Sequence, residues 1–295
     1  MKRIVEPELL DDLAPEDLLA LGSRRDLRRV NAWMGNARAM ERVLRIAFRD
    51  PPNRLVELGA GDGHFLYQVA DGLGESWRGT RAVLLDRRPA VSPDTLQRFA
   101  SLGWQVEAVT ADVFDWLRQP PPQEHDVLVA NLFLHHFSAP RLAELCNIAA
   151  RHAQILVAIE PRRSTWALVF SHLVGVIGCN RVTRHDAPVS VRAGFLAGEL
   201  SQSWSGDGEW SLEERAVGLF SHLFIARRTG RIPGPDTAAA TQSDRSPSDR
   251  SGRARSLYTQ RRKSSRQVWG PGLQFPVGRV PSRGGASVAV YSAPE

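Results

Sequence analysis

Three glycines at alternate positions, Gly59, Gly61 and Gly63, separate an apolar run that ends in an acidic residue, Arg54 to Leu58 with Glu57, from an amphipathic stretch that begins at His64. Glycine adopts backbone conformations closed to other residues and lets a chain approach a ligand closely, so this spacing predicts a sharp strand-to-helix turn. A helix starting near His64 aims its unpaired N–H groups at whatever the turn holds. That unit constrains the chain to one main solution, a strand–loop–helix module at the heart of an α/β sheet.

The flanking pattern agrees. Four further runs rich in Val, Leu, Ile or Ala, at Arg81 to Leu85, Gln105 to Thr110, Asp126 to Phe133 and Gln154 to Ile159, alternate with amphipathic segments, which predicts a parallel sheet covered on both faces. Trp210 to Val217 and Leu219 to Arg227 meet around Gly218 and predict an antiparallel hairpin at the sheet edge. The expected fold class is therefore α/β, a Rossmann-like, seven-stranded, mostly parallel sheet with a C-terminal antiparallel hairpin. Residues 1–48 read as a helical N-terminal cap. Pro15 and Asp17 mark a helix start, and Leu27, Val30, Trp33 and Met34, then Met40, Val43, Leu44 and Ala47, recur at helical spacing before Asp50, Pro51, Pro52 and Asn53 break the helix. The domain boundaries expected are 1–48, 49–228 and 229–295.

A pI near 10.1 raises the question of nucleic acid, and the distribution of charge bears on it. From Thr229 to Glu295 there are 11 Lys and Arg against 4 Asp and Glu, whereas residues 1–228 hold 27 against 28. The body of the chain is thus near neutral, and the basic segment is a Gly-, Pro- and Ser-rich tail without apolar period, read as disordered apart from a short strand-like run at Ala286 to Tyr291. Cys146 and Cys179 are the only cysteines, and neither lies near a second Cys or His at metal-ligand spacing, so no disulfide framework or metal is expected. With no signal-peptide pattern at the N-terminus, and Trp166 to Cys179 too short to span a bilayer, the expected location is cytoplasmic.

Three acids fall at the ends of successive strands: Glu57 before the glycine loop, Asp86 closing the second run 23 residues after Gly63, and Asp112 after the third. This is the rim where open α/β sheets bind ligands, and an Asp in the position of Asp86 can accept both hydroxyls of a ribose. The segment Val56 to Phe65 resembles motif I of the class I S-adenosylmethionine (SAM)-dependent methyltransferases. It differs from the dinucleotide dehydrogenases, whose last glycine follows three positions after the second, because Gly61 and Gly63 are two apart. The resemblance implies that Glu57, Gly59, Ala60, Gly61, Gly63 and Asp86 bind the cofactor, that Asp112 accepts from the adenine amino group beside Val113, and that Asn131 lines the methionine end. His135 and His136, after the fourth strand, are the candidates for a general base toward a hydroxyl acceptor.

The fourth-strand segment lacks the Asn-Pro-Pro-Tyr sequence of enzymes that methylate amino groups of adenine or glutamine. Segments at Arg28 to Asn36 and Cys179 to Asp186 are similar to parts of bacterial methyltransferases encoded near polyketide-type pathways. They imply caps over the site, with Trp33 and His185 shaping the pocket for a small acceptor of aromatic or polyketide-like kind. The acid and arginines of Glu160-Pro161-Arg162-Arg163, at the carboxyl rim of the fifth strand, either face substrate or form a surface ion pair, and the second reading is preferred. Three rivals stand beside this reading: an RNA methyltransferase gripping phosphates with its arginine-rich tail, a non-catalytic SAM-binding scaffold, and, given Arg87 and Arg88 beside Asp86, an NADP-dependent oxidoreductase. Oligomeric state is not legible.

Overall fold

The structure, a computed structural model, describes residues 1–120, 126–205 and 209–229 and the backbone of 287–290. The strands are β1 (Arg54–Leu58), β2 (Arg81–Asp86), β3 (Gln105–Thr110), β4 (Asp126–Asn131), β5 (Ala153–Pro161), β6 (Trp210–Val217), β7 (Ser221–Arg228) and β8 (Ser287–Val290). They form one sheet in the order β6-β7-β5-β4-β1-β2-β3-β8. Strands β1 to β5 pair in parallel, β7 runs antiparallel to both β5 and β6, and β8 adds an antiparallel edge beside β3. The seven strands expected are therefore present with their C-terminal hairpin, and β8 falls within the run at Ala286 to Tyr291. The rest of the tail lies outside the described residues.

Side chains alternate across the sheet with the period of two that strands impose. Val56, Leu58, Val83, Leu85, Leu128 and Leu156 enter one apolar core, and Leu55, Leu84, Val127, Val129, Ile155 and Val157 the other. The first is closed by α6 (Val113–Leu117), α7 (Ala139–His152) and α10 (Glu199–Ser203); the second by α3 (Asn36–Ala47), α4 (His64–Leu73) and α5 (Pro93–Ser101). Burial on both faces explains why the strands read as continuous apolar runs. Strand order reverses at β1, which has β2 on one side and β4 on the other, and open α/β sheets bind ligands at such a switch point.

The cap departs from the expected all-helical segment. Only α1 (Leu9–Asp12), α2 (Leu18–Met34) and α3 are helical before β1, while residues 1–8 form a strap without regular secondary structure. Pro7 disfavours helix at the residue before it. Asp17 caps α2 by accepting from the Leu19 N–H at 2.7 Å, and Gly35, at φ 73°, separates α2 from α3. The remaining helices, α8 (Thr165–His172) and α9 (Arg181–Ala193), lie between β5 and the hairpin. No helix among the described residues is long and apolar enough to cross a membrane.

Candidate active site

The glycine loop is pinned to the neighbouring strand. The Gly59 and Ala60 N–H groups donate to the Leu85 carbonyl at 2.9 and 3.0 Å. Gly59, Gly61 and Gly63 all have positive φ, at 69°, 56° and 75°, but space treats them differently. A Cβ on Gly59 stands 2.1 Å from the Phe133 ring and one on Gly63 stands 2.7 Å from Leu84, whereas one on Gly61 meets nothing within 4 Å. Gly61 thus faces open space, and its N–H donates to Asp86 Oδ2 at 2.8 Å. The other carboxylate oxygen of Asp86 takes the Arg88 N–H at 2.9 Å, so Asp86 is fixed at the loop with lone pairs to spare.

Above the loop is a cavity of about 670 Å³. Glu57, Gly59, Ala60, Gly61, Asp86, Asp112, Val113, Asn131, His135 and His136 all line it; Gly63 does not, because its role is the close approach of α4 to Leu84. Glu57 is buried on β1, and one of its oxygens, Oε2, has no hydrogen-bond partner. Burial, reinforced by the carboxylates of Asp62 and Asp86, holds the Glu57 carboxyl well above the ordinary carboxylate range despite a bond from the Leu66 N–H. A buried, unpaired acid facing a cavity is costly unless a ligand completes it. At the other end, Asp112 caps α6 through the Phe114 N–H at 2.8 Å, beside Val113 and the edge-to-face pair Phe114–Phe137.

Beyond Asn131 the backbone turns through Leu132, whose φ of 52° is the one positive value at a non-glycine among the described residues. This kink ends β4 earlier than expected and starts a 3-10 turn, Leu134–His136. Buried Glu160, at the end of β5, holds the turn by accepting from the N–H groups of Phe133 (3.1 Å), Leu134 (2.8 Å) and His135 (3.3 Å). Its Oε2 also pairs with His135 Nδ1 at 2.8 Å, and His135 Nε2 lies 3.3 Å from Glu8 Oε1. Burial alone lowers the His135 pKa, but the hydrogen bonds and charges of Glu160 and Glu8 outweigh it and push the value up to about 9. His136 Nδ1 lies 3.4 Å from Asp11 Oδ2.

The strap and α1 bring Glu8 and Asp11 to the lining of the cavity. Arg3 donates to the carbonyls of Ala193, His135 and Phe137. Buried Asp186 of α9 accepts the N–H groups of Leu9 and Leu10 at 2.9 and 3.0 Å, and Ser190 donates to Glu8. Helix α2 forms the second part of the roof. Its buried face is polar: Ser23 bonds Thr183 at 2.9 Å, and Asp26 takes the Asn180 N–H at 2.7 Å, both at the start of α9. Arg28 reaches down from it to Asp62 of the glycine loop. A buried amide relay, Ser221 to Asn36 to Asn131, with contacts of 2.7 and 2.9 Å, fixes the Asn131 side chain.

Three expectations need correction. Trp33 is 66% exposed, packs at a tilt against Phe220 with ring centroids 5.0 Å apart, and does not line the cavity; the inner face of α2 is set by its polar contacts to α9. His185 is also outside the cavity, paired with Asp186 at 2.9 Å. The Glu160–Arg163 segment is no surface ion pair: both ends are buried, and Arg163 donates to the carbonyls of Met1 and Gly194 and pairs with Glu199. Conversely, Glu8, Asp11, Arg28 and Ser190 line the site without having been singled out as site residues. Only Arg28 had a signal, in its position within a cap segment.

No protein-family model matches the sequence, and no curated protein does. Solved structures do. The plantazolicin methyltransferase BamL, in complex with a triazolic desmethylPZN analog and SAH, is 12% identical with a TM-score of 0.53 over 72% of this chain and 91% of its own. The magnesium protoporphyrin IX methyltransferase ChlM from Synechocystis PCC 6803, with bound SAH, is 11% identical with a TM-score of 0.45 over 72% and 88%. The likeness to BamL, joined to the strand order and glycine loop, shows that the chain has the class I methyltransferase fold.

Proposed function

We propose that the chain is a SAM-dependent methyltransferase acting on a small-molecule acceptor of aromatic or polyketide-like kind. The observation that carries this reading is the unpaired, buried Glu57 oxygen beside a positive-φ glycine loop, with Asp86 and Asp112 at the next two strand ends. Those groups suit the cofactor's ammonium, ribose hydroxyls and adenine amine in turn, all donors facing carboxylates. SAM supplies an electrophilic methyl group on a sulfonium, so the protein's task is to hold a nucleophile in line and exclude water.

Each part of the site has an assignment. Glu57 and the Gly59–Gly61 backbone hold the amino-acid end, Asp86 the ribose, and Asp112 with Val113 the base, while Asn131 borders the methyl group. Glu160 and Glu8 hold His135 in its charged form, so His136, the less buried of the two, is the one placed to take a proton from the acceptor. A nicotinamide dinucleotide phosphate fits less well, because Arg87 is engaged by Asp11 at 3.1 Å and Arg88 by the carbonyls of Asp11 and Leu13. The strap and α2 roof the cavity, which favours a small acceptor over an RNA strand. BamL, whose structure holds SAH together with a desmethylPZN analog, offers a precedent for a small acceptor in this fold.

Thermal melting with SAH tests the cofactor assignment. Ligand at 100 times its dissociation constant should add about 2.7 kcal/mol of stability, and Asp86→Ala should remove the effect. An unchanged response in Asp86→Ala would refute the placement of the ribose.

A further inference from the structure

We propose that Glu8, His135 and His136 form a binding site for a divalent transition-metal ion of the zinc class at the mouth of the cavity. One potential ligand atom from each residue lies within 4.8 Å of the other two, the one such group found among the described residues. All three side chains line the cavity. Proximity alone is common, and two further features give it the build of a metal centre.

The first is the setting of the imidazoles. His135 Nδ1 is 2.8 Å from Glu160 and His136 Nδ1 is 3.4 Å from Asp11, so a different carboxylate orients each ring from the Nδ1 side and leaves Nε2 for a ligand. Metal-binding histidines are almost always held in this way. The second is spacing. His135 Nε2 and Glu8 Oε1 are 3.3 Å apart, and two ligands bound tetrahedrally at about 2.0–2.1 Å stand about 3.3 Å from each other. A cation therefore takes the place between them with little movement of either. The two rings lie side by side with centroids 4.3 Å apart, and a nitrogen of the second lies within 4.8 Å of the other two ligand atoms.

Two imidazoles and one carboxylate favour zinc, cobalt or nickel over magnesium or calcium, which prefer oxygen alone. Three protein ligands leave a fourth position facing the cavity, the arrangement of catalytic rather than structural zinc sites. Glu8 comes from the strap and is placed independently of any ion, by Ser190 and by the two bonds from Leu9 and Leu10 to Asp186. The ion would thus staple the strap to the end of β4. Its use by the acceptor, as a Lewis acid at the fourth position, rests on the methyl-transfer reading above; metal binding does not.

The test uses the full chain, freed of metal by chelator dialysis and titrated with Zn²⁺ against a chromophoric competitor, and with Co²⁺ by absorption spectroscopy. One equivalent of tightly bound Zn²⁺, visible d–d bands for Co²⁺, and slowed amide exchange at Leu9 and Leu10 on metal binding are expected. Glu8→Gln and His136→Gln, whose side chains are less buried than that of His135, should weaken Zn²⁺ by at least 10-fold, and Asp11→Asn by about 10- to 100-fold through loss of ring orientation. Circular dichroism confirms that each variant is folded. Absence of stoichiometric binding in the wild-type chain, or affinity unmoved in both folded ligand variants, overturns the site. SAH binding measured on the same samples reports separately on the cofactor reading.

Discussion

Glu57 links stability to function at the scale of one residue. Its folded pKa lies above the ordinary carboxylate value, so the folded state holds a proton that the unfolded state releases, and stability falls as pH climbs from the ordinary value through the folded one. Glu57→Gln should therefore raise the melting temperature of the ligand-free protein, increasingly so as pH rises, while weakening SAM by about 10- to 100-fold through the lost bond to a charged group. A variant that binds SAM normally would disprove the ammonium contact. His135 has the opposite sense. With its pKa pushed up to about 9, its pairing with Glu160 and Glu8 stabilises the metal-free protein fully below the imidazole's ordinary 6.5 and fades as pH passes 9. Urea denaturation across that window should show the slope, and His135→Gln should flatten it. Gly59→Ala meets the Phe133 ring as well as an unfavourable φ, and is expected to cost more than the roughly 1 kcal/mol that φ alone costs at Gly61→Ala.

The elements differ in how far their neighbours lie along the chain, and so in how much of each was legible beforehand. The sheet, and the gathering of Glu57, Gly59, Gly61, Asp86 and Asp112 around one cavity, could be read from sequence because each lies at the end of its strand or just after it, where local period and turn chemistry mark them. The strap could not: Glu8 meets His135 across 127 positions and Ser190 across 182, with no periodic pattern to announce either. Helix α2 misled for another reason. Apolar spacing pointed to Trp33, but the buried face holds Ala20, Ser23 and Asp26, and polar burial is invisible to a hydrophobic period. Asp17→Ala should cost α2 about 1 kcal/mol as a lost N-cap, measurable by chemical denaturation. Asp186→Ala should release the strap, which amide exchange at Leu9 and Leu10 would register as lost protection while α4 and α7 keep theirs.

For the whole molecule, the near-neutral body and the basic tail separate two accounts of its partners. Truncation after Arg228 is expected to leave SAH binding intact, since every residue assigned to the cofactor precedes it. If the tail gripped RNA, the full chain would bind RNA with a steep salt dependence that truncation abolishes. The central claim concerns the cofactor, and isothermal titration of the full chain with SAM, SAH, NADH and NADPH addresses it directly. The account predicts micromolar binding of SAM and SAH and none of the nicotinamide nucleotides; binding of a nicotinamide nucleotide alone would contradict it.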